Sequence, residues 1–394
     1  MKRRLALYSW AFYDFANTIF SAVVLTFYFP LYLTSITGRN LNLGLTTSSA
    51  MVLAGLVVPW LGGLSDRTGK TKTYLILTTL LCVTFTVYLS FARSVSSLTM
   101  GFLAACFFYH ASLVFYCALL PVVAGPKNQG FASGLGTALG YFGVLLAVPI
   151  AHLVDYYWGR RYVFVTAGIL FWISSLPLFF WVPERKVAQP LKPSLKLFLE
   201  EWFKVFGTVA ALTKRRALLF FLAGNFFVVE ALNTVIFWFV VYLSRVFNPS
   251  QVQLLSIFLG LNAGAFVFGL VAGRLADRWG SQKTLLASAA SIFGTLLLLS
   301  LIHHLGLFVT LSLTGGAFGL AGTWTAGRKR LVELSPEEEI GKYFGLYNLT
   351  TKISVVSSLI FSLLADRFGF ERALLSQTLP AALGLFFLWR SSEK

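Results

Sequence analysis

Three ionisable side chains stand where ionisation is expensive. Asp14, Glu230 and Lys352 each lie inside a long apolar run. A charge in such surroundings requires a partner or a task. At 1.5 Å of rise per residue, Asp14 lies about 14 Å along its helix from Leu5, Glu230 about 20 Å from Ala217, and Lys352 about 14 Å from Tyr343. Helical spacing puts Asn17 on the face of Asp14 and Asn233 on the face of Glu230. One chemistry open to these groups is proton and solute binding in a polar cavity. The other is mutual pairing that glues helices together. Asp14 is expected to hold a proton for part of a cycle, because a lone carboxylate at this depth is costly. Glu230 and Lys352 differ in depth by about 6 Å and are expected to pair. His110, in another apolar run, is a candidate proton relay or a hydrogen-bonded helix contact. Tyr141 occupies the position that corresponds to Lys352 in the internal repeat described below.

Other chemistries lack their residues. The sequence has no zinc, Walker-A or dinucleotide pattern, and no Ser or Cys nucleophile is flanked by a His base. An enzyme is therefore not expected, nor a metal or cofactor. Cys82, Cys106 and Cys117 fall within apolar segments and read as small buried residues.

The elements that must position these groups are long apolar helices. Of 394 residues, 57% are hydrophobic and 12% charged, and the mean hydropathy is +0.75, which describes an integral membrane protein. A spanning helix needs about 20 largely apolar residues. Segments of that kind fall near 7–34, 45–64, 73–92, 97–124, 131–153 and 162–182, then near 217–244, 251–272, 284–302, 305–327, 343–364 and 372–389. The expected fold is all-α, with twelve transmembrane helices in two six-helix bundles related by pseudo-two-fold symmetry. The expected divisions are 1–182, a cytoplasmic linker 183–216 and 217–394. Met1-Lys2-Arg3-Arg4 before an apolar run imitates a signal peptide, but the run is too long and holds Asp14 and Asn17, so a retained first helix is expected. The net charge of +17 is spread over short loops and forms no stripe, which argues against nucleic-acid binding. With the N-terminus inside, the loops and termini place 24 Lys and Arg on the inner side and seven on the outer, so both termini are expected in the cytoplasm.

The two bundles repeat a sequence. Gly62-Gly63-Leu64-Ser65-Asp66-Arg67-Thr68-Gly69 recurs as Gly273-Arg274-Leu275-Ala276-Asp277-Arg278-Trp279-Gly280, an offset of 211 residues from Asp66 to Asp277. Gly130, Gly134 and Asp155 match Gly341, Gly345 and Asp366 at the same offset. Parallel repeats of this kind occur in membrane transporters. An Asp suits the turn because a helix N-terminus carries partial positive charge and free amide donors. Asp66 is expected to dock on the start of the eleventh segment, near Lys342 to Gly345, and to latch one conformational state. Gly130, Gly134, Gly136, Gly140 and Gly143 in the fifth segment, and Gly260, Gly264, Gly269 and Gly273 in the eighth, form small-residue faces. They suit either a seam between the bundles or packing within one bundle. In the linker, Ser194 is placed to cap a short amphipathic helix running to Lys204, on the inner membrane surface.

The duplicated turn in a six-plus-six chain resembles the major facilitator superfamily. Trp10-Ala11-Phe12-Tyr13-Asp14-Phe15-Ala16-Asn17, Phe115-Tyr116-Cys117-Ala118-Leu119-Leu120-Pro121 and Phe344-Gly345-Leu346-Tyr347-Asn348-Leu349-Thr350-Thr351-Lys352 resemble its branch of fungal vacuolar amino-acid effluxers and their bacterial relatives. The chain departs from that branch at Cys117, Val122, Glu230 and Thr351. The resemblance implies a secondary transporter of a small solute working by alternating access. An amino acid or related metabolite is its expected cargo and the proton its expected coupling ion. It implies a symporter or antiporter, monomeric, in a bacterial inner membrane. A lipid flippase on the same fold and a non-transporting sensor or scaffold are the competing readings.

Overall fold

The computed structural model describes residues 2–37, 40–192, 194, 197, 200, 212–350 and 355–392. Lys352 lies outside the described residues, as do residues 195, 196, 198, 199 and 201–204 of the linker helix expected from Ser194 to Lys204. Among the described residues every regular element is helical. The first half comprises α1 (Lys2–Ile19), α2 (Phe29–Thr37), α3 (Asn40–Thr68), α4 (Thr71–Tyr88), α5 (Val95–Ala118), α6 (Leu120–Val123), α7 (Gln129–Trp158) and α8 (Arg160–Trp181). The second comprises α9 (Arg216–Val246), α10 (Gln251–Arg278), α11 (Ser281–Leu299), α12 (Leu305–Leu311), α13 (Ala317–Leu334), α14 (Ile340–Thr350), α15 (Val355–Phe368), α16 (Phe370–Ser376) and α17 (Thr378–Arg390). Nine helices among the described residues are long and apolar enough to cross a membrane. They coincide with nine of the twelve segments expected from sequence. Of the other three expected segments, 45–64 falls within α3, 343–364 runs over residues 351–354, which lie outside the described residues, and 372–389 is divided between α16 and α17 at Gln377.

Local chemistry sets the ends. Ser94 accepts from the backbone N–H of Ser97 at 3.1 Å while the Ser97 hydroxyl accepts from that of Ser94 at 3.2 Å, a reciprocal cap that starts α5. Ser250 and Gln253 repeat this arrangement at α10. In the linker, Ser194 Oγ accepts from Leu197 N at 3.1 Å. α3 and α10 both stop at a left-handed glycine, Gly69 at φ 67° and Gly280 at φ 93°. Only a residue without Cβ turns there at little cost, and the next helix begins at once.

Two compact units emerge. One comprises Met1–Pro126, Leu139–Phe206 and Pro336–Leu349; the other comprises Lys127–Ala138, Gly207–Ser335 and Thr350–Lys394. The first is built on buried rings. Trp10 stacks on Tyr116 at 4.4 Å and donates from Nε1 to the Tyr116 carbonyl at 2.8 Å. Tyr13 shares a 2.6 Å hydrogen bond with Thr79. Trp10, Tyr13, Phe115 and Tyr116 are thus core residues that fix α1 against α4 and α5. In the second unit Tyr242 stacks on Phe308, and Trp238 on Phe361.

Candidate functional site

The repeated turn builds the best-defined polar structure in each unit. Asp66 closes the last turn of α3 and is 6% exposed. Its Oδ1 accepts from the backbone N–H of Gly341 at 2.9 Å and its Oδ2 from that of Lys342 at 2.8 Å. These are unsatisfied donors of the first turn of α14, so the carboxylate spans two orphan amides at the positive end of the helix. A Cβ on Gly62 would stand 2.1 Å from the Gly341 carbonyl oxygen, so this approach requires glycine. Arg185 completes the site, donating from Nη1 to Asp66 and from Nη2 to the Glu337 carbonyl. Burial pushes the Asp66 carboxyl up to about 6, against the opposing pull of Arg185 and the two amides.

The second turn repeats this bonding with different parts. Asp277 Oδ1 accepts from Gly130 N at 2.9 Å, and Oδ2 from Phe131 N at 2.7 Å, at the start of α7. Its cation is Lys329 of α13, 5% exposed, which donates to Asp277 Oδ1 at 2.6 Å and to the Ala276 carbonyl at 3.0 Å. A second carboxylate meets the start of the helix after each turn, through backbone N–H groups in the first case and a side-chain hydroxyl in the second. Glu184 accepts from the N–H groups of Lys72 and Thr73 at 2.6 and 3.1 Å and from the Thr73 hydroxyl at 3.0 Å. Glu333 accepts from the Ser281 hydroxyl and lies 3.6 Å from Arg330. The linker is also tied to the first turn by a bond from Leu191 N to the Arg67 carbonyl at 2.9 Å.

The sequence anticipated Asp66, its target near Lys342, and the duplication at Asp277. It missed Glu184, Arg185, Lys329 and Glu333. Arg185 and Arg328-Lys329-Arg330 count in the sequence only as orientation charges on the inner side, although their position at the ends of apolar segments lets them reach the turns. Arg67 and Arg278 are exposed. The glycine faces divide between two tasks. A Cβ on Gly134 would lie 2.4 Å from the Gly269 carbonyl and one on Gly130 2.7 Å from that of Gly273, so the first turns of α7 press on α10. Gly140 and Gly143 instead face Thr18 and Phe15 of α1, and Gly260 and Gly264 face Leu313.

Among the intramembrane candidates, Asp14 and Asn17 are brought together. Both are buried, and Asn17 Nδ2 donates to Asp14 Oδ1 at 3.0 Å. The Gly140 backbone passes beside them, and Tyr141 follows it on α7, half-buried. His110 is buried in α5 with its ring 4.9 Å from that of Tyr109. Glu230 and Asn233 lie one turn apart on α9, both half-buried. The expected partner of Glu230, Lys352, lies outside the described residues. Among the described residues no cluster of three His, Cys, Asp or Glu could hold a metal.

Known proteins place this architecture. The family model described as Major Facilitator Superfamily matches residues 11–356 and 227–394. An uncharacterized protein of Aquifex aeolicus is 28% identical, covering 98% of this chain and 96% of its own length. The uncharacterized MFS-type transporter YxiO of Bacillus subtilis is 24% identical over 92% and 88%. A multi-drug resistance efflux pump PmrA homolog of Lactococcus lactis is 23% identical over 100% and 96%. The crystal structure of the human organic anion transporter MFSD10 (TETRAN) shares the fold, with a TM-score of 0.78 at 15% identity, covering 98% of this chain and 99% of that one. This all-α integral membrane chain, with its paired carboxylate-capped turns, belongs to the Major Facilitator Superfamily of transporters and is no enzyme.

Proposed function

We propose that the protein is a proton-coupled secondary transporter of a small solute, working by alternating access through twelve spanning helices. The observation that carries this reading is the repeated contact of Asp66 and Asp277, each laid across two amide donors at a helix start. α3, the α14–α15 pair and the α16–α17 pair supply the three spans that complete twelve. The bundles are 1–182 and 217–394, joined by the linker, with both termini in the cytoplasm of a bacterial cell. On this reading both turns lie on the cytoplasmic side, and their engagement closes that side and holds the outward-facing state. Disengagement exposes the cavity to the cytoplasm. Asp14, Asn17, His110, Tyr141, Glu230, Asn233 and Lys352 line the path. Asp14, which accepts a hydrogen bond from the Asn17 amide, carries the coupling proton. The protein works as a monomer.

The cargo is an amino acid or related metabolite, in line with the Tyr13-Asp14-Phe15-Ala16-Asn17 resemblance. Purified protein in proteoliposomes should support counterflow of a member of an amino-acid, dipeptide and organic-anion panel, accelerated by a pH gradient. Counterflow without any pH dependence would refute proton coupling. A panel that gives no counterflow while labelled phospholipid crosses the bilayer would favour the flippase reading instead.

A further inference from the structure

The two turns match in their carboxylates and differ in what carries the cation. Lys329, at the second turn, projects from α13, so a helix fixes its position. Arg185, at the first, lies beyond the end of α8 in a stretch, 183–192, that has no helix. The sequence favours an extended course there. Val182 precedes Pro183 and Gln189 precedes Pro190, and a residue before proline is steered away from the helical region. Val182 accordingly sits at φ −82° and ψ 127°.

This stretch is laid along the first turn at successive points, all within the first unit. Glu184 accepts from the N–H groups of Lys72 and Thr73, where α4 begins. Arg185, its side chain 10% exposed, reaches both Asp66 and the Glu337 carbonyl. Val187 lies against Gly69, where a Cβ would stand 3.2 Å from its Cγ2. Leu191 N donates to the Arg67 carbonyl at 2.9 Å. The left-handed glycine that ends α3 is thus also the surface on which the linker rests.

The Arg185 fork performs two tasks at once. One nitrogen supplies the counter-charge to a carboxylate that burial makes costly to ionise, and the other holds the carbonyl of Glu337, just ahead of α14. It joins the end of α3 to the chain leading into the helix whose amides Asp66 caps. A segment outside the helices, tied by few backbone hydrogen bonds, opens at lower free energy than a packed helix. This cation, unlike Lys329, can therefore be withdrawn without unpacking a helix.

We propose that residues 183–191 form a strap over the first turn, in which Arg185 is the positioning residue that holds Asp66 across the α14 amides, so that the linker governs engagement of the first turn and not of the second. The proposal rests on the reading of the turns as a latch.

Full-length protein in proteoliposomes carries spin labels at Lys70 and Glu338 for the first turn, or at Lys127 and Lys283 for the second, all exposed positions. Distances are measured at pH 5 and pH 7.5. Arg185→Gln should shift the first turn about tenfold toward release at pH 7.5. The shift should be smaller at pH 5, where Asp66, pushed up to about 6, is largely protonated and has less need of a cation. The other charges nearby, Arg67, Glu184, Glu337, Glu339 and Lys342, stay in every variant. Leu191→Pro keeps all charges, removes the N–H given to Arg67, and should loosen the first turn by a smaller factor. Lys186→Gln removes an exposed charge of the same strap and should match the wild type. The second turn should be unchanged throughout. Equal lengthening at the second turn, or the same loss in Lys186→Gln, would overturn the strap. So would wild-type distances in Arg185→Gln while Asp66→Asn lengthens the Lys70–Glu338 distance, an outcome that leaves the latch standing. If neither substitution moves that distance, the latch fails and the strap with it.

Discussion

Asp277 and Lys329 offer the sharpest test of how the turns are held. Lys329 is 5% exposed, and its ammonium has two partners, the Asp277 carboxylate at 2.6 Å and the Ala276 carbonyl at 3.0 Å. Asp277→Asn removes the carboxylate that pairs with Lys329 at 2.6 Å and leaves a buried cation, a change that costs about 3–5 kcal/mol. The Asn amide also presents a donor where one of Gly130 and Phe131 needs an acceptor. Lys329→Met removes the cation but leaves Asp277 with both backbone donors at a partly open site, and should cost about 1–3 kcal/mol. The double variant has no stranded charge and should be more stable than Asp277→Asn alone. Thermal unfolding in detergent, followed through the ten tryptophans, gives the order of the three variants. A double variant no better than Asp277→Asn would refute the pairing. So would an Asp277→Asn protein as stable as the wild type.

The first turn should respond through transport more than through folding. Asp66→Asn should loosen engagement by about 1–3 kcal/mol, because its amide presents a donor where Gly341 or Lys342 needs an acceptor. Counterflow should slow while expression holds, and unchanged kinetics would count against the latch. Because burial raises Asp66 to about 6 from about 3.9 in water, the engaged turn binds a proton more tightly than the released one. Its stabilisation is full below about 3.9 and is lost as pH rises through about 6. Spin labels at Lys70 and Glu338 should therefore report more engagement at pH 5 than at pH 7.5, with no such change in Asp66→Asn. A fall in engagement with acid would contradict the assignment. Gly62→Ala puts a methyl group 2.1 Å from the Gly341 carbonyl and should weaken engagement by about 1–3 kcal/mol, seen as a longer Lys70–Glu338 distance. Asp14→Asn should abolish accumulation driven by a pH gradient and spare exchange; intact accumulation would reduce Asp14 to a helix contact.

The turns were legible because their chemistry is local and duplicated. Asp66 and Gly69 are three residues apart, the pattern recurs at Asp277 and Gly280, and a carboxylate ending one helix seeks the amides that start another. Their cations were not legible. Arg185 is 119 residues from Asp66, and in a chain with 32 Lys and Arg nothing in composition separates a side chain that pairs from one that only orients a loop. The Trp10 and Tyr116 motifs were quoted as family marks, and the structure gives them a packing role that spacing could not reveal, since they meet across 106 residues. The π-helical turn at Phe20–Tyr28 also had no sequence sign, because it contains no Pro or Gly.

The order in which these contacts can form bears on how the chain is made. Asp66 is translated 119 residues before Arg185 and 275 before Gly341. Asp277 emerges 147 residues after Gly130 and then waits only 52 residues for Lys329. At about 5–20 residues per second a ribosome needs roughly 14–55 s to supply the amides that cap Asp66. During that interval the Asp66 carboxylate must stay hydrated, which its position at the end of α3 allows. Neither half of the chain produced as a separate polypeptide can complete its own turn, because each turn borrows helix-start amides encoded in the other half of the gene. Two fragments divided within the linker should therefore be degraded when made singly and persist when made together.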